Sequence, residues 1–295
     1  MVTFAQSGPG ELVLLTTKEV ADLLRVKERK VYDLASAGEI PHRRVTGKLL
    51  FPKAEIMAWI DGNGTATAAA RPAVITGSHD PLLDWALRES GAGLAQMING
   101  SGDGLGLFER GDAAVAGIHV PDASGWNIGT VSAMGLSDCV LVGWAERSRG
   151  LILSPQILGN VRTVADIAGR RVVLRQAGAG AAALFDMLID EAGLSPQDLD
   201  PVTLPARTES DAAAAIACGE ADVALGIEAM ARQFRLGFVP LLSERFDLLI
   251  DRRSYFTAPV QALLGFARTE AFRDRARALG GYDLAGCGQV RWLSP

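Results

Sequence analysis

The chain is poor in the side chains on which metal, redox and nucleophilic chemistry draw. Its 295 residues include three cysteines and three histidines. Cys139, Cys218 and Cys287 are odd in number, widely spaced and form no CxxC pair, which excludes a disulfide framework or a zinc cluster as an organising element. Cys139, in DCVLVGW, and Cys218, in AAIACGEAD, read as small buried apolar residues. His79 stands between Ser78 and Asp80, but neighbours on one turn point in different directions and do not make a Ser–His–acid set. Neither Ser78 nor Ser101 sits in a Gly-x-Ser-x-Gly string. There is no Walker pattern, and the glycine-dense run from Gly100 to Gly106 lacks dinucleotide-fingerprint spacing. An enzyme is not the expectation. No apolar run is long enough to span a membrane, and no charged-then-apolar leader is visible, so a reducing cytoplasm without membrane attachment is expected.

What is present is a chain long enough for two or three compact units, with 48% hydrophobic residues to build their cores. The net charge of −5 argues against a surface that coats nucleic acid throughout. The charge is uneven: residues 1–60 carry nine Lys/Arg against seven Asp/Glu, and the remainder 20 against 27. A locally basic head on an acidic body suits a regulator with a separate sensor.

The head carries the densest local signals. Thr16–Thr17 followed by Glu19 is an N-cap with a first-turn carboxylate, and Val20, Leu23 and Leu24 repeat at helical spacing. A turn near Val26 leads to a second helix over 28–37, with Val31, Leu34 and Ala35 inward and Gly38 as its stop. Its exposed face carries Lys27, Arg29, Lys30 and Tyr32. In EIPHRRVTGKLLF, Thr46–Gly47–Lys48 reads as a hairpin turn, placing His42, Arg43, Arg44 and Lys48 on a basic wing. Pro52 opens a third helix with Ile56, Trp59 and Ile60 packing back. The string from Leu14 to Ile60 resembles the excisionase-type and MerR-like winged helix-turn-helix family. That resemblance implies recognition of a double-stranded DNA operator by the second helix and the wing.

Residues 61–72, DGNGTATAAARP, read as a linker. Beyond them, apolar strands alternate with amphipathic helices, an α/β pattern. Strands are expected over 73–77, 94–98, 113–118, 139–145, 151–153, 171–174, 202–204, 223–226, 238–241 and 248–250. Helices are expected over 80–90, 104–110, 163–167, 179–192, 210–218, 229–235, 259–266 and 270–279.

Three strand-to-helix junctions share one design: Thr76 to Pro81, Asn99 to Gly104, and Gln176 to Ala181. Each leaves free backbone N–H groups at a helix start, where partial positive charge favours an anion, and glycine permits close approach. Three in one unit point to a cradle for a small anion or polar metabolite. The strings TGSHDPLLDWAL, NGSGDGLGLFERGDAAVAGIHVPD, GWNIGTV, RGLILSPQILGNVRTVADIAGRRVVLRQAGAGAAALFDMLIDEAGL and ACGEADVALGIEAMARQFRLGFVPLLSERFDLLI resemble the PBP-like domain of bacterial regulators. That family is related to periplasmic molybdate- and tungstate-binding proteins.

The resemblance implies a type II periplasmic-binding-protein fold of two α/β lobes over 73–295, lobe one about 73–135 and 241–295, lobe two about 136–240. It implies molybdate or tungstate as effector, held by hydroxyls and main-chain amides without a paired cation. Ser78 and Ser101 fall at the lobe-one hydroxyl positions. The amides around Gly178, Ala179, Gly180 and Ala181, and the junction from Gly226 to Glu228, supply lobe two. His119 and Asn127, with Trp126, match a loop near the cleft. Where the family commonly reads NRqrGSGTR, this chain has LRQAGAGAA, so lobe-two hydroxyls are replaced by alanine while Arg175 remains. Arg147, Arg149 and Arg162 are candidates for compensating charge, with a surface position the plainer expectation for Arg149 and Arg162. The composite expectation is a one-component transcription regulator acting as a homodimer. A molybdenum-cofactor-related or other small polar metabolite is the alternative effector. An enzyme or an excisionase-type architectural protein fits less well.

Overall fold

A computed structural model describes residues 13–45, 47–60, 70–123 and 125–294. Thr46 of the expected hairpin turn and positions 61–69 of the expected linker lie outside the described residues. The chain divides into two compact units, Met1–Ala70 and Arg71–Pro295.

In the first unit, strand β1 (Leu14–Thr16) leads directly into helix α1 (Thr17–Leu24). Thr16 and Glu19 form a reciprocal capping box, the carboxylate accepting the Thr16 N–H at 2.7 Å and the hydroxyl accepting the Glu19 N–H at 3.3 Å. Arg25, in the left-handed region, ends α1 and turns the chain into α2 (Glu28–Ser36). Strands β2 (Arg43–Val45) and β3 (Lys48–Pro52) follow, then α3 (Lys53–Ala58). The sheet order is β1-β3-β2, all antiparallel, so the wing has a third strand that hydrophobic periodicity did not single out. Val20, Ala21, Val31, Ala35, Ile40, Phe51 and Ile56 are buried together beneath these elements.

The second unit begins with β4 (Val74–Gly77), α4 (Pro81–Glu89), β5 (Ala95–Ile98), α5 (Ser101–Glu109) and β6 (Val115–Ile118). A short hairpin of β7 (Pro121–Asp122) and β8 (Gly125–Trp126) precedes α6 (Ile128–Ala133) and the long strand β9 (Cys139–Leu153). Then come β10 (Arg171–Val173), α7 (Gly180–Glu191), β11 (Asp200–Pro201), α8 (Glu209–Ala217), β12 (Val223–Ile227) and α9 (Glu228–Gln233). A second long strand, β13 (Gly237–Asp251), is followed by α10 (Arg252–Tyr255), α11 (Ala258–Phe266), α12 (Glu270–Leu279), β14 (Tyr282–Asp283) and β15 (Val290–Leu293).

One mixed sheet runs through the unit in the order β11-β10-β12-β9-β13-β6-β4-β5, with β14 and β15 also on β9. At one end β4, β5 and β6 are parallel; at the other β10, β11 and β12 are parallel. Between them β9 and β13 pair antiparallel over their whole lengths. Strand β6 joins β13 only at 247–250, and β12 joins β9 only at 149–153. The two long strands therefore cross from one lobe to the other, as in a type II periplasmic-binding-protein fold.

Several sequence expectations differ from the structure. The separate strands at 139–145 and 151–153 are one strand, as are 238–241 and 248–250. Cys139 and Leu141, expected in lobe two, pack in one cluster with Leu249, and the boundary expected near 240 lies inside β13. Cys218 is exposed rather than buried, because it caps the C-terminus of α8; Cys139 is buried. The segment 163–167 is a short 3-10 turn, Val164–Ile167.

Candidate effector cleft and DNA-reading face

The first unit presents α2 and the wing as neighbouring basic surfaces. Lys27, Arg29 and Lys30 are exposed, and Tyr32 is 51% exposed despite its apolar ring. Arg43, Arg44 and Lys48 are exposed on the wing strands. A concavity of about 410 Å³ lies between helix and wing, and Lys18, Tyr32, Arg44 and Lys48 are among its lining residues. Lys18 was missed by the sequence reading because it sits on α1. Two expectations shift. His42 is half-buried, its Nδ1 3.0 Å from the Ile40 carbonyl and its ring beside Phe51, so it belongs to the wing's base. Arg43 is tied to Glu55 at 2.5 Å, which leaves Arg44 and Lys48 as the wing cations without such a tie among the described residues.

In the body, glycines bring the first two junctions together. A Cβ on Gly104 would lie 2.3 Å from the Gly77 Cα, so only glycine lets α5 sit this close to the end of β4. The result is a direct hydrogen bond between the hydroxyls of Ser78 and Ser101, 2.8 Å apart and almost fully buried. The His119 backbone N–H donates to the Ser101 hydroxyl at 3.2 Å.

The third junction, from lobe two, closes on these two. The Gly102 N–H donates to the Gly178 carbonyl at 3.0 Å, and the Gln176 side-chain amide donates to the Asn99 carbonyl at 3.1 Å. A Cβ on Gly180 would lie 2.4 Å from the His119 carbonyl oxygen, and one on Gly100 would lie 3.3 Å from the Ala179 Cα. Ala179 and Ala181 are buried. The N-termini of α5 and α7 thus meet lip to lip, with the serine pair beside the contact. This is a closed clamp.

Behind the lips lies a buried ion network that the sequence reading did not assemble. Arg147 and Arg149 project from β9 and Glu244 from β13, all essentially without solvent exposure. Glu244 accepts from the Arg147 guanidinium, from Arg149 Nε at 2.5 Å and from Arg149 Nη2 at 2.8 Å. Arg149 also donates to Glu209 at 2.9 Å, and Arg175 donates to the same oxygen at 2.9 Å. Arg147 reaches Asp80 at 3.0 Å, where the Tyr282 hydroxyl donates at 2.7 Å. Three arginines thus face three carboxylates. Surface placement of Arg149 is corrected: charges this deep are tolerable only because each is paired.

Burial alone would raise the Glu209 carboxyl, but Arg149 and Arg175 outweigh it and bring it down to about 2. Glu244 is likewise pressed by burial, yet Arg147 and Arg149 hold it well below the usual carboxylate range. The His119 imidazole, 3.1 Å from Glu244 and stacked on Phe246, is lowered because burial outweighs the attraction of that carboxylate. Some polar atoms in this region are buried without a partner: Arg147 Nε, Arg149 Nη1, Glu209 Oε2 and Gln176 Oε1.

The remaining expected site residues fall differently. Asn127 is buried and spent, accepting the Val120 N–H and donating to Asp247, each at 2.7 Å. Arg175 is committed to Glu209 and to the Ala206 and Arg207 carbonyls. Gly226 lies beside Glu209, where a Cβ would be 3.6 Å from Oε2. Glu228 turns instead to Arg232 on its own helix and packs against Gly281. No group of three or more His, Cys, Asp or Glu residues suited to a metal ion is present among the described residues. No described helix is long and apolar enough to cross a membrane.

Two α/β lobes linked by a pair of crossing strands, with helix N-termini facing each other at the lips, define a solute-binding body of the periplasmic-binding-protein kind. Residues 84–268 match the PBP superfamily domain, more than half of the sequence, and the chain belongs to that superfamily. Residues 14–64 match a helix-turn-helix domain. The Bacillus subtilis (strain 168) protein YvgK is 23% identical over 300 residues, covering 93% of this chain and 96% of that protein. A Clostridium pasteurianum protein from the 5′ region of a 2Fe-2S ferredoxin gene is 30% identical over 108 residues, covering 36% of this chain and 96% of that protein. In fold, the chain is similar to a Clostridium perfringens protein assigned as a phosphate ABC transporter substrate-binding protein, with bound phosphate. The TM-score is 0.50 at 14% identity, covering 70% of this chain and 96% of that one. A helix-turn-helix unit joined to a PBP-like body is the make-up of a ligand-responsive DNA-binding regulator.

Proposed function

We propose that the body senses a small oxyanion, with molybdate or tungstate the leading candidates, and that its occupancy sets the DNA affinity of the helix-turn-helix unit. The observation that carries this reading is the buried Ser78–Ser101 hydroxyl pair at the meeting point of the α5 and α7 N-termini. Each hydroxyl can rotate its hydrogen away from its neighbour and toward an anion. Helix-terminal amides add partial positive charge without a formal cation. The charge balance behind the lips supports recognition of this type. Arg147, Arg149 and Arg175 are already neutralised by Asp80, Glu209 and Glu244, so the grip on an anion falls to hydroxyls and amides.

Binding requires the lips to part and close again over the anion. A switch follows only if open and closed bodies differ in effector affinity and place the DNA-reading units of a homodimer differently. A dimer supplies the paired half-site contacts that one small winged unit lacks. The setting is the cytoplasm, where DNA and a free anion are both available. No residue set in the clamp assembles a nucleophile with its base, so binding rather than turnover is the proposed activity.

A second reading is favoured by the unpartnered Arg149 Nη1 and Glu209 Oε2. A donor and an acceptor together suit a zwitterionic or neutral polar metabolite, a molybdenum-cofactor-related compound included. Selection of bound fragments from sheared genomic DNA, with and without 1:1 effector, tests the function: molybdate or tungstate should change the recovered set or its yield. An identical recovery with every effector tried would contradict the sensing role.

A further inference from the structure

The DNA-reading face carries one acid where its neighbours are bases. Glu28 is the first helical residue of α2, directly after Lys27, and is exposed. It lines the concavity between α2 and the wing together with Lys18, Tyr32, Arg44 and Lys48, and is the one carboxylate there among the described residues. Tyr32 and Ser36 follow it at four-residue spacing and line the same concavity, so the three form one row along the helix. Helical side chains tilt toward the N-terminus, so Glu28 projects from the leading end of α2. Arg43 pairs with Glu55, and Glu28 makes no ion pair among the described residues.

A carboxylate in this place is selective because most of DNA repels it. Phosphates carry like charge, and guanine O6 and N7, thymine O4 and adenine N7 all present lone pairs in the major groove. Cytosine alone offers an amino donor with no acceptor beside it on the same base. The residues at the N-terminus of a recognition helix are the ones that meet base edges. We propose that Glu28 is a specificity-determining residue of the reading face, its carboxylate accepting from the N4 amino group of one cytosine in the operator. Lys18, Arg44 and Lys48 offset its charge against the backbone, and discrimination comes as much from what the acid rejects as from what it accepts. The assignment rests on the helix-turn-helix unit reading duplex DNA and is independent of the effector.

The intact protein is used to select bound duplexes from a randomised library, and the parent is compared with Glu28→Gln and Glu28→Ala. The parent motif should hold a fixed cytosine at one position per reading unit, with the other bases there about ten-fold weaker in competition titrations. In Glu28→Gln that position, and no other, should change to adenine, because a glutamine amide pairs with adenine N6 and N7. In Glu28→Ala the same position should lose its roughly ten-fold preference, while binding to unrelated duplex rises, most at low salt, because a like charge has gone. Loss of a favourable helix-dipole contact alone would weaken every sequence alike and leave the selected bases unchanged. An unchanged motif in both variants would therefore overturn the assignment, as would a parent motif without cytosine. A parent that retains no duplex at all would instead overturn the DNA-binding role on which the proposal stands.

Discussion

Replacing Glu244 by glutamine probes the crossing strands at their most charged point. Glutamine keeps the volume but removes the negative charge that Arg147 and Arg149 share and that faces His119. All of these side chains are almost completely buried, so water cannot make up the loss. Breaking a buried ion pair from one side costs about 3–5 kcal/mol, because the partner charge is left uncompensated. For a unit of this size, 1 kcal/mol corresponds to about 2–4 °C in Tm, so the expected fall is about 6–20 °C. Scanning calorimetry of the intact chain reads the transition of the body. Adding Arg149→Met to Glu244→Gln should recover part of the loss, since Arg147 then keeps Asp80 and Glu209 keeps Arg175, and removing both members of a pair is far less costly than removing one. A fall below about 2 °C for Glu244→Gln, well short of the expected range, would show that the network is open to solvent and would refute the burial argument.

Acid should destabilise the body through the same network. Glu209 titrates at about 2 when folded against an ordinary 4.5, so its contribution is fully present above 4.5 and is lost as pH falls toward 2. The loss amounts to about 3 kcal/mol, and Tm measured from pH 6 to 3 should decline less steeply in Glu209→Gln. His119 is lowered below its usual 6.5, so the folded state resists protonation and loses stability as pH falls below that value; His119→Asn should flatten this part of the profile. Gly180→Ala introduces a Cβ 2.4 Å from the His119 carbonyl and should hold the lips apart, altering effector response at a stability cost of about 1–3 kcal/mol, as a paired calorimetric and binding titration would reveal. In the head, Arg29→Ala or Arg44→Ala should weaken DNA binding and lower the salt slope by about one, whereas His42→Ala should act mainly on stability. Mobility-shift titrations at several salt concentrations separate these cases.

The head was largely legible because its signals are local. The Thr16–Glu19 capping box, the spacing of Val20, Val31 and Ala35, and the Gly38 stop each act within a few residues. The crossing strands were not legible for the opposite reason. Glu146 to Arg149 looks like a polar break between two apolar strands, and the same holds for Ser243 to Asp247. Arg147 and Arg149, two residues apart on a strand, lie on one face. They remain buried only because Glu209 and Glu244 arrive from 60 to 97 positions further along the chain. The Arg-x-Arg alternation was the available signal, but its counter-charges could not be located from spacing alone. The glycine junctions were visible as loops; that they would touch each other, with the serine hydroxyls bonded, required the close packing at Gly77 and Gly104.

The most direct test of the sensing claim is a calorimetric titration of molybdate, then tungstate, into the intact protein and its Ser78→Ala plus Ser101→Ala variant. A saturable heat at one anion per chain, abolished in the variant while its Tm without anion stays near that of the parent, is the expected result. Binding undiminished in the variant, or no heat with either anion, would contradict an oxyanion held by the serine pair.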